Sequence, residues 1–290
     1  MKPEVITFIG LGEMGLAMAV NLVRAGYLVT GVDRSETRVQ SFAEAGGRVD
    51  GDWESDLKQS DFVMTSVSNG EAFLALARET LLPHARTGQI YVDLGTLSPP
   101  DVRELAEAFA RKSATLLDVP VSGGPGGARE GSLRMFAGGE RAAFTKVRPL
   151  LEVLGEPEAI DYCGSSGSGQ LMKAVNQLGM GLIQAAALEC VAFGINAGLD
   201  PEAINRLVGG DNGWRALIRQ VSAKAQDETA QWVGVKHGQL PYFFREAQAR
   251  GFPMPLSQAL HAFLDGHPEV IREANRRSPS FWRALTENTK

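Results

Sequence analysis

Lys173 and Asn176 stand three residues apart in "GSGQLMKAVNQ", so a helix would set both side chains on one face. That pairing suits proton transfer: an ammonium gives a proton to a developing alkoxide while an amide holds a carboxylate or hydroxyl beside it. The lysine also stands out by its setting. Between Asp161 and Asp200 only two residues carry charge, Lys173 and Glu189. The run after the lysine reads as a long buried helix, which a bare ammonium seldom enters without a partner or a task. The competing reading is a stem laid along apolar surface with its head in water, and the pattern of residues leaves both open. Gly169, one turn earlier, would leave room for a ligand, and Glu189 reads as structural.

Two glycine clusters offer complementary chemistry. In "DVPVSGGPGGAREGSLRMFAGG", Ser122, Gly123 and Gly124 follow a predicted strand. A hydroxyl and consecutive amides can form a small nest for an anion such as a carboxylate; the other reading is a flexible turn. Arg129 in the same stretch could pair with a second anionic group or lie at the surface, and the surface is placed ahead. Near the N-terminus Gly10, Gly12 and Gly15 form GxGxxG between a strand and a helix. Their physical roles would be a tight turn, close approach of backbone to a pyrophosphate, and close helix–strand packing. Leu11, Glu13 and Met14 would then bring backbone amides and the positive end of the helix dipole to the phosphates. Asp33 ends the second strand about 20 residues on, where a dinucleotide's ribose is read. Its carboxylate would accept both hydroxyls of NAD and repel a 2′-phosphate. Arg34 could stack on adenine, bind that phosphate, or lie in solvent, and Ser35 would help the second option. NAD is therefore placed ahead of NADP. Val67 and Ser68 in "SVSNG", and Thr96 in "DLGTLSP", end further strands on the side where such sheets bind ligands.

The elements needed to position these residues are legible as alternation. Strands are predicted at 5–9, 27–33, 61–67, 89–95, 115–121, 133–139 and 158–164, with helices between them, including 70–82 and 99–112; Ser98-Pro99 starts the latter. Ser35 is a plausible N-cap and Gly26 a helix stop. This pattern predicts an α/β fold with a doubly wound, mostly parallel sheet over residues 1–164. From 165 to 290 helical segments follow one another without a strand, so a mostly α second domain is expected, joined by a long helix at 168–197. Phe281, Trp282 and Leu285 read as tail packing.

Composition narrows the classes. The 290 residues carry a net charge of −5 with 44% hydrophobic content, an ordinary globular balance that does not favour a polyanion, so no nucleic-acid partner is expected. Cys163 and Cys190 form no CxxC, and the four histidines show no metal-binding spacing; no metal and a reducing cytoplasm are expected. The charge-free run Ala174–Leu188, 15 residues with two glutamines and an asparagine, reads as too short and too polar for a bilayer. The apolar N-terminal run is too short for a leader.

The three motifs "FIGLGEMGLAMAVNLVRAGY", "DVPVSGGPGGAREGSLRMFAGG" and "GSGQLMKAVNQ", in this order, resemble the β-hydroxyacid dehydrogenase family, which includes 3-hydroxyisobutyrate dehydrogenase and tartronate semialdehyde reductase. The resemblance runs from residue 4 to about 210. It implies a Rossmann domain followed by an all-helical domain, reached by a long interdomain helix. The activity implied is reversible oxidation of a small 3-hydroxy acid to its aldehyde or keto acid with NAD or NADP. It further implies Lys173 as general acid/base, and Ser122, Gly123, Gly124 and Asn176 as holders of a substrate carboxylate. A second family lysine near the nicotinamide matches Lys236 in "GVKHGQL", where His237 replaces the usual aspartate. A homodimer or homotetramer is also implied. Free lysine has a pKa of about 10.4, so oxidation near neutral pH requires it lowered, and an apolar setting acts in that direction. Imine reductases share the fold but generally lack the lysine, and a non-catalytic NAD(P)H sensor would need neither it nor the serine–glycine segment. Bulky Trp214 in "DNGWRALIR" would near the substrate's far end.

Overall fold

The computed structural model describes residues 4–49, 51–233, 235, 238–267 and 280–286. The chain divides into two compact units, Met1–Lys173 and Ala174–Lys290.

The first unit alternates as its periodicity predicts. Strand β1 (Val5–Ile9) leads through α1 (Glu13–Arg24) to β2 (Leu28–Val32) and α2 (Glu36–Glu44). The short helix α3 (Trp53–Leu57) precedes β3 (Phe62–Thr65). Helix α4 (Gly70–Leu76) runs through a π turn into α5 (Leu82–His84), then come β4 (Ile90–Asp93), α6 (Pro99–Ala110) and β5 (Thr115–Asp118). β6 (Val121–Ser122), α7 (Gly124–Glu130), β7 (Leu133–Gly138), α8 (Arg141–Leu154) and β8 (Gly155–Gly164) complete it. The sheet runs β2-β1-β3-β4-β5-β7-β6, with β8 on β7. The first five strands are parallel; β7 meets β5 antiparallel at Asp118↔Gly138.

Both faces of the sheet are covered, which is why every residue of β3 and β4 is buried. Ile6, Phe8, Met64 and Val92 face the core shared with Met18 and Leu22 of α1 and Phe144 and Val147 of α8. Their neighbours in sequence, Ile9, Val63 and Tyr91, face the core with Phe73 of α4 and Val102, Leu105 and Phe109 of α6. The period of two in the strands thus separates two cores.

Two local readings differ from the structure. The glycine-rich segment after Ser122 is not a loop: α7 begins at Gly124 and ends at Gly131, whose φ is 66°. Pro125 suits a first helical turn, and Asn21 Nδ2 of α1 donates to Ala128 O at 2.9 Å. Tertiary contact outweighs the poor helix propensity of glycine. Helix α3 is also absent from the sequence reading; Asp52 caps it by accepting from Ser55 N at 3.3 Å.

In the second unit no strand follows among the described residues. Helix α9 (Ser168–Asn196) is 29 residues long. After it come α10 (Pro201–Val208), α11 (Gly213–Gln226), α12 (Leu240–Ala249), α13 (Pro255–Asp265) and a final helix, Phe281–Thr286. Leu188, Val191, Ile218, Val221, Leu240, Leu264 and Phe281 form the core. The expectation of a buried long helix is corrected here. Val175, Met180, Ile183 and Phe193 are 67, 55, 55 and 75% exposed, because apolar residues occur nearly all round α9 while its own unit covers only part of it. Its most apolar window has a mean hydropathy of 1.7 and is 39% buried, so by length and composition alone α9 could cross a membrane. A core helix of a soluble protein has the same length and composition.

Candidate active site

The GxGxxG turn is built by close approach. Gly10 has φ +96°, and a Cβ there would lie 2.4 Å from Ser66 O. The turn is thus pressed onto the residues that follow β3, beside Val67. A Cβ on Gly15 would lie 1.8 Å from Gly10 O, so α1 meets β1 without space for a side chain. Gly12 is different: a Cβ there would meet only Arg38 Nη1, at 4.0 Å. The turn is open at that point, as a cradle for a pyrophosphate must be. Gly12, Glu13 and Met14 at the start of α1 are accessible.

Asp33 closes this region from β2. Its Oδ2 accepts from Leu11 N at 2.8 Å and its Oδ1 from Ser35 N at 2.9 Å. Arg38 Nη1 stands 3.6 Å from Oδ2, a neighbour that sequence reading missed although it lies one helical turn past Ser35. Ser35 occupies the N-cap position of α2 without a side-chain cap bond, and Arg34 is exposed.

At the neighbouring strand ends, Thr96 is half-buried after β4, and Ser122 is half-buried before Gly123 and Gly124. Both of those glycines have positive φ, 139° and 63°. Lys173 is 7% exposed, and its Nζ donates to Val121 O at 2.6 Å. The lysine is therefore delivered to the residue just before the serine–glycine turn. Asn176 follows one turn later on α9 and is half-buried. Gly169 does not leave room for a ligand: a Cβ there would lie 2.3 Å from Phe136 O and 2.6 Å from Asp118 O. Its missing side chain lets α9 start against β5 and β7. Arg129 is exposed in the last turn of α7, Trp214 is 60% exposed in α11, and Lys236 and His237 lie outside the described residues.

Two buried carboxyls, paired in register at the ends of β4 and β5, were not singled out from sequence. Asp118 Oδ1 accepts from Gly167 N at 2.9 Å and Oδ2 from Gln170 N at 3.0 Å, where α9 begins. Burial pushes its pKa up to about 6, against the pull of those amides. Asp93 Oδ1 accepts from Thr65 Oγ1 at 2.8 Å. Burial pushes Asp93 up to about 7, with the Thr65 hydroxyl opposing and the charge of Asp118 adding. Both groups hold protons more tightly folded than unfolded, where the ordinary value is 3.8. Their contribution to stability is full below that value and is lost as pH rises through about 6 and 7. Asp93→Asn, which cannot ionise, should lose less Tm between about pH 5 and about pH 8 than the wild type, by roughly 4 °C. Parallel Tm–pH curves for the two proteins would refute proton uptake by Asp93 on folding.

Comparison with known proteins places this geometry. Residues 5–165 match the family model of the NAD binding domain of 6-phosphogluconate dehydrogenase. Residues 167–271 match that described as NAD-binding of NADP-dependent 3-hydroxyisobutyrate dehydrogenase. A 3-hydroxyisobutyrate dehydrogenase of Pseudomonas aeruginosa is 32% identical over 284 residues, covering 92% of this chain and 95% of that one. The chain belongs to the β-hydroxyacid dehydrogenase family. A 2-(hydroxymethyl)glutarate dehydrogenase of Eubacterium barkeri is also 32% identical, over 90% of this chain and 88% of its own. In fold, this β-hydroxyacid dehydrogenase superposes on the Mycobacterium tuberculosis 3-hydroxyisobutyrate dehydrogenase with a TM-score of 0.82 at 24% identity, over 99% and 100% of the two chains. It is an NAD(P)-dependent oxidoreductase of hydroxy acids, and the open, glycine-lined turn at Gly12 fits the dinucleotide.

Proposed function

We propose that the enzyme interconverts a small 3-hydroxy acid and its aldehyde or keto acid, with Lys173 as general acid and base. The observation that carries this is the buried ammonium of Lys173, held 2.6 Å from the carbonyl of Val121 at the entrance to the Ser122–Gly124 turn. When bound, NAD(P) supplies or accepts the hydride at its nicotinamide. The Ser122 hydroxyl and the amides of Gly123 and Gly124 hold the substrate carboxylate, and Asn176 adds an amide one turn beyond the lysine. In reduction, Lys173 gives a proton to the carbonyl oxygen as negative charge develops there. In oxidation, neutral Lys173 removes the hydroxyl proton. The names of the two relatives, which act on 3-hydroxyisobutyrate and 2-(hydroxymethyl)glutarate, support a carboxylate-bearing substrate of small size.

Cofactor contacts are assigned to Gly10, Leu11, Gly12, Glu13, Met14 and Gly15, to Asp33, Arg34 and Ser35, and to Val67, Ser68 and Thr96. Lys236 is added by resemblance alone. NAD ahead of NADP rests on Asp33, whose carboxylate is fixed by two amides at the end of β2; each oxygen keeps a second lone pair for a ribose hydroxyl. Residues 1–164 form the cofactor domain and 165–290 the helical domain, in a cytoplasmic homodimer or homotetramer. The exposed Val175, Met180, Ile183 and Phe193 support self-association. Light scattering should give a mass two or four times that of the chain; a monomer at tens of micromolar would contradict it.

The test of activity is absorbance of NADH and NADPH with a panel of small semialdehydes and 3-hydroxy acids. Turnover of at least one member is expected, with a kcat/KM for NADH above that for NADPH. An inert panel would sink the substrate class, and a clear preference for NADPH would sink the role of Asp33.

A further inference from the structure

Gln170 is fully buried, and both ends of its side chain are engaged. Its Oε1 accepts from Leu97 N at 3.0 Å, and its Nε2 donates to Gly95 O at 3.1 Å. These are the peptide groups on either side of Thr96, so one side-chain amide grips the loop after β4 as a neighbouring strand would grip it. Its own backbone N donates to Asp118 Oδ2 at 3.0 Å, which ties the same residue to the end of β5. Gln170 lies three residues before Lys173, on the same helix face, and Lys173 Nζ meets the first residue of β6 at Val121 O. The first turn of α9 is thereby tied to the ends of two adjacent strands, β4 and β5.

A hydrophobic residue would fill such a position as readily if only packing mattered, because buried amides must have every polar atom matched. Capping of α9 does not account for it either, since the carboxylate of Asp118 already meets the amides of Gly167 and Gln170. We propose that Gln170 is a positioning residue, which holds the lysine-bearing turn of α9 in fixed relation to the Gly95–Leu97 loop. This rests on the reading of Lys173 as the proton donor. A fixed relation matters because a proton and a hydride must reach adjacent atoms of one carbonyl, and small misplacements there carry large rate penalties.

The test compares Gln170→Met, Gln170→Glu and Lys173→Ala with the wild type. Four readouts are needed: steady-state kinetics, NADH affinity by fluorescence, Tm, and the primary deuterium isotope effect with 4-deuterated NADH. Gln170→Met fills the space without either hydrogen bond. Its kcat should fall by about 10–100-fold with a larger isotope effect, while KM and NADH affinity stay within about threefold. In Gln170→Glu the protonated acid can accept from Leu97 N and donate to Gly95 O as the amide does, but the carboxylate cannot donate. Its kcat relative to wild type at the same pH should therefore recover as pH falls from about 8 to about 5.5. Asp93, Asp118 and Lys173 face the same region and are present in every Gln170 variant, so Gln170→Met, which adds no ionisable group, serves as the control and should show a ratio to wild type that does not change with pH. Wild-type kcat and isotope effect in Gln170→Met, with only Tm lowered, would make Gln170 a packing residue and overturn the proposal. If Gln170→Met does not fold, a pH-independent ratio for Gln170→Glu overturns it. Lys173→Ala separates the two claims: when it is impaired and both Gln170 variants are normal, only the positioning role fails. An unimpaired Lys173→Ala removes the group to be positioned and overturns both.

Discussion

Replacing Lys173 by alanine is expected to lower kcat by about 10²–10⁴-fold, with NADH affinity kept within about threefold. Removing a positioned general acid costs a factor of this size because the alkoxide must then take its proton from water. Cofactor binding is spared because the glycine turn is held by its own contacts, such as Leu11 N to Asp33 Oδ2, whereas the lysine's Nζ donates to Val121 O. Arginine is not expected to restore activity: a guanidinium stays protonated, so it cannot act as the base in oxidation. Single-turnover oxidation of NADH by a large excess of substrate checks the first claim, and an unaltered rate for Lys173→Ala would end the mechanism.

Gly15→Ala should abolish measurable dinucleotide binding, raising Kd by about 100-fold or more, and should destabilise the fold by about 3 kcal/mol. The added methyl would sit 1.8 Å from the Gly10 carbonyl, a contact that requires α1 to move off β1. Gly10 cannot yield, because its own approach to Ser66 O leaves no space either. The shift therefore displaces the amides of Leu11 to Met14, the donors at the start of α1, and strains the bond from Leu11 N to Asp33. Gly12→Ala is the contrasting control. Its Cβ meets nothing nearer than 4.0 Å in the protein, so it should leave Tm almost unchanged and weaken only the cofactor. Equal loss of stability in the two variants, by thermal unfolding, would contradict this division of roles.

Much of the candidate site was legible because its signals are local. The glycine spacing at 10, 12 and 15, the aspartate at the end of the second strand, and a lysine in a helix with one other charge each need only a short window of sequence. The strand–helix alternation also sufficed for a doubly wound sheet, since period two and period 3.6 are properties of neighbours in the chain. Helix α7 was missed for the opposite reason: glycine opposes helix locally, and the contact with Asn21 that outweighs it lies 107 residues away.

The amino-acid sequence by itself determined that this chain builds a dinucleotide turn, a serine–glycine turn and a helix carrying one lysine, in that order. Only tertiary structure decided how they are joined. Lys173 and Val121 are 52 residues apart, as are Gln170 and Asp118, while Gln170 and its two partners around Thr96 are 73 and 75 apart. No periodicity links such pairs; they meet because parallel β4 and β5 end side by side and α9 begins against them. Exposure of the long helix was likewise not readable, because hydrophobicity records what a side chain avoids and not which surface covers it.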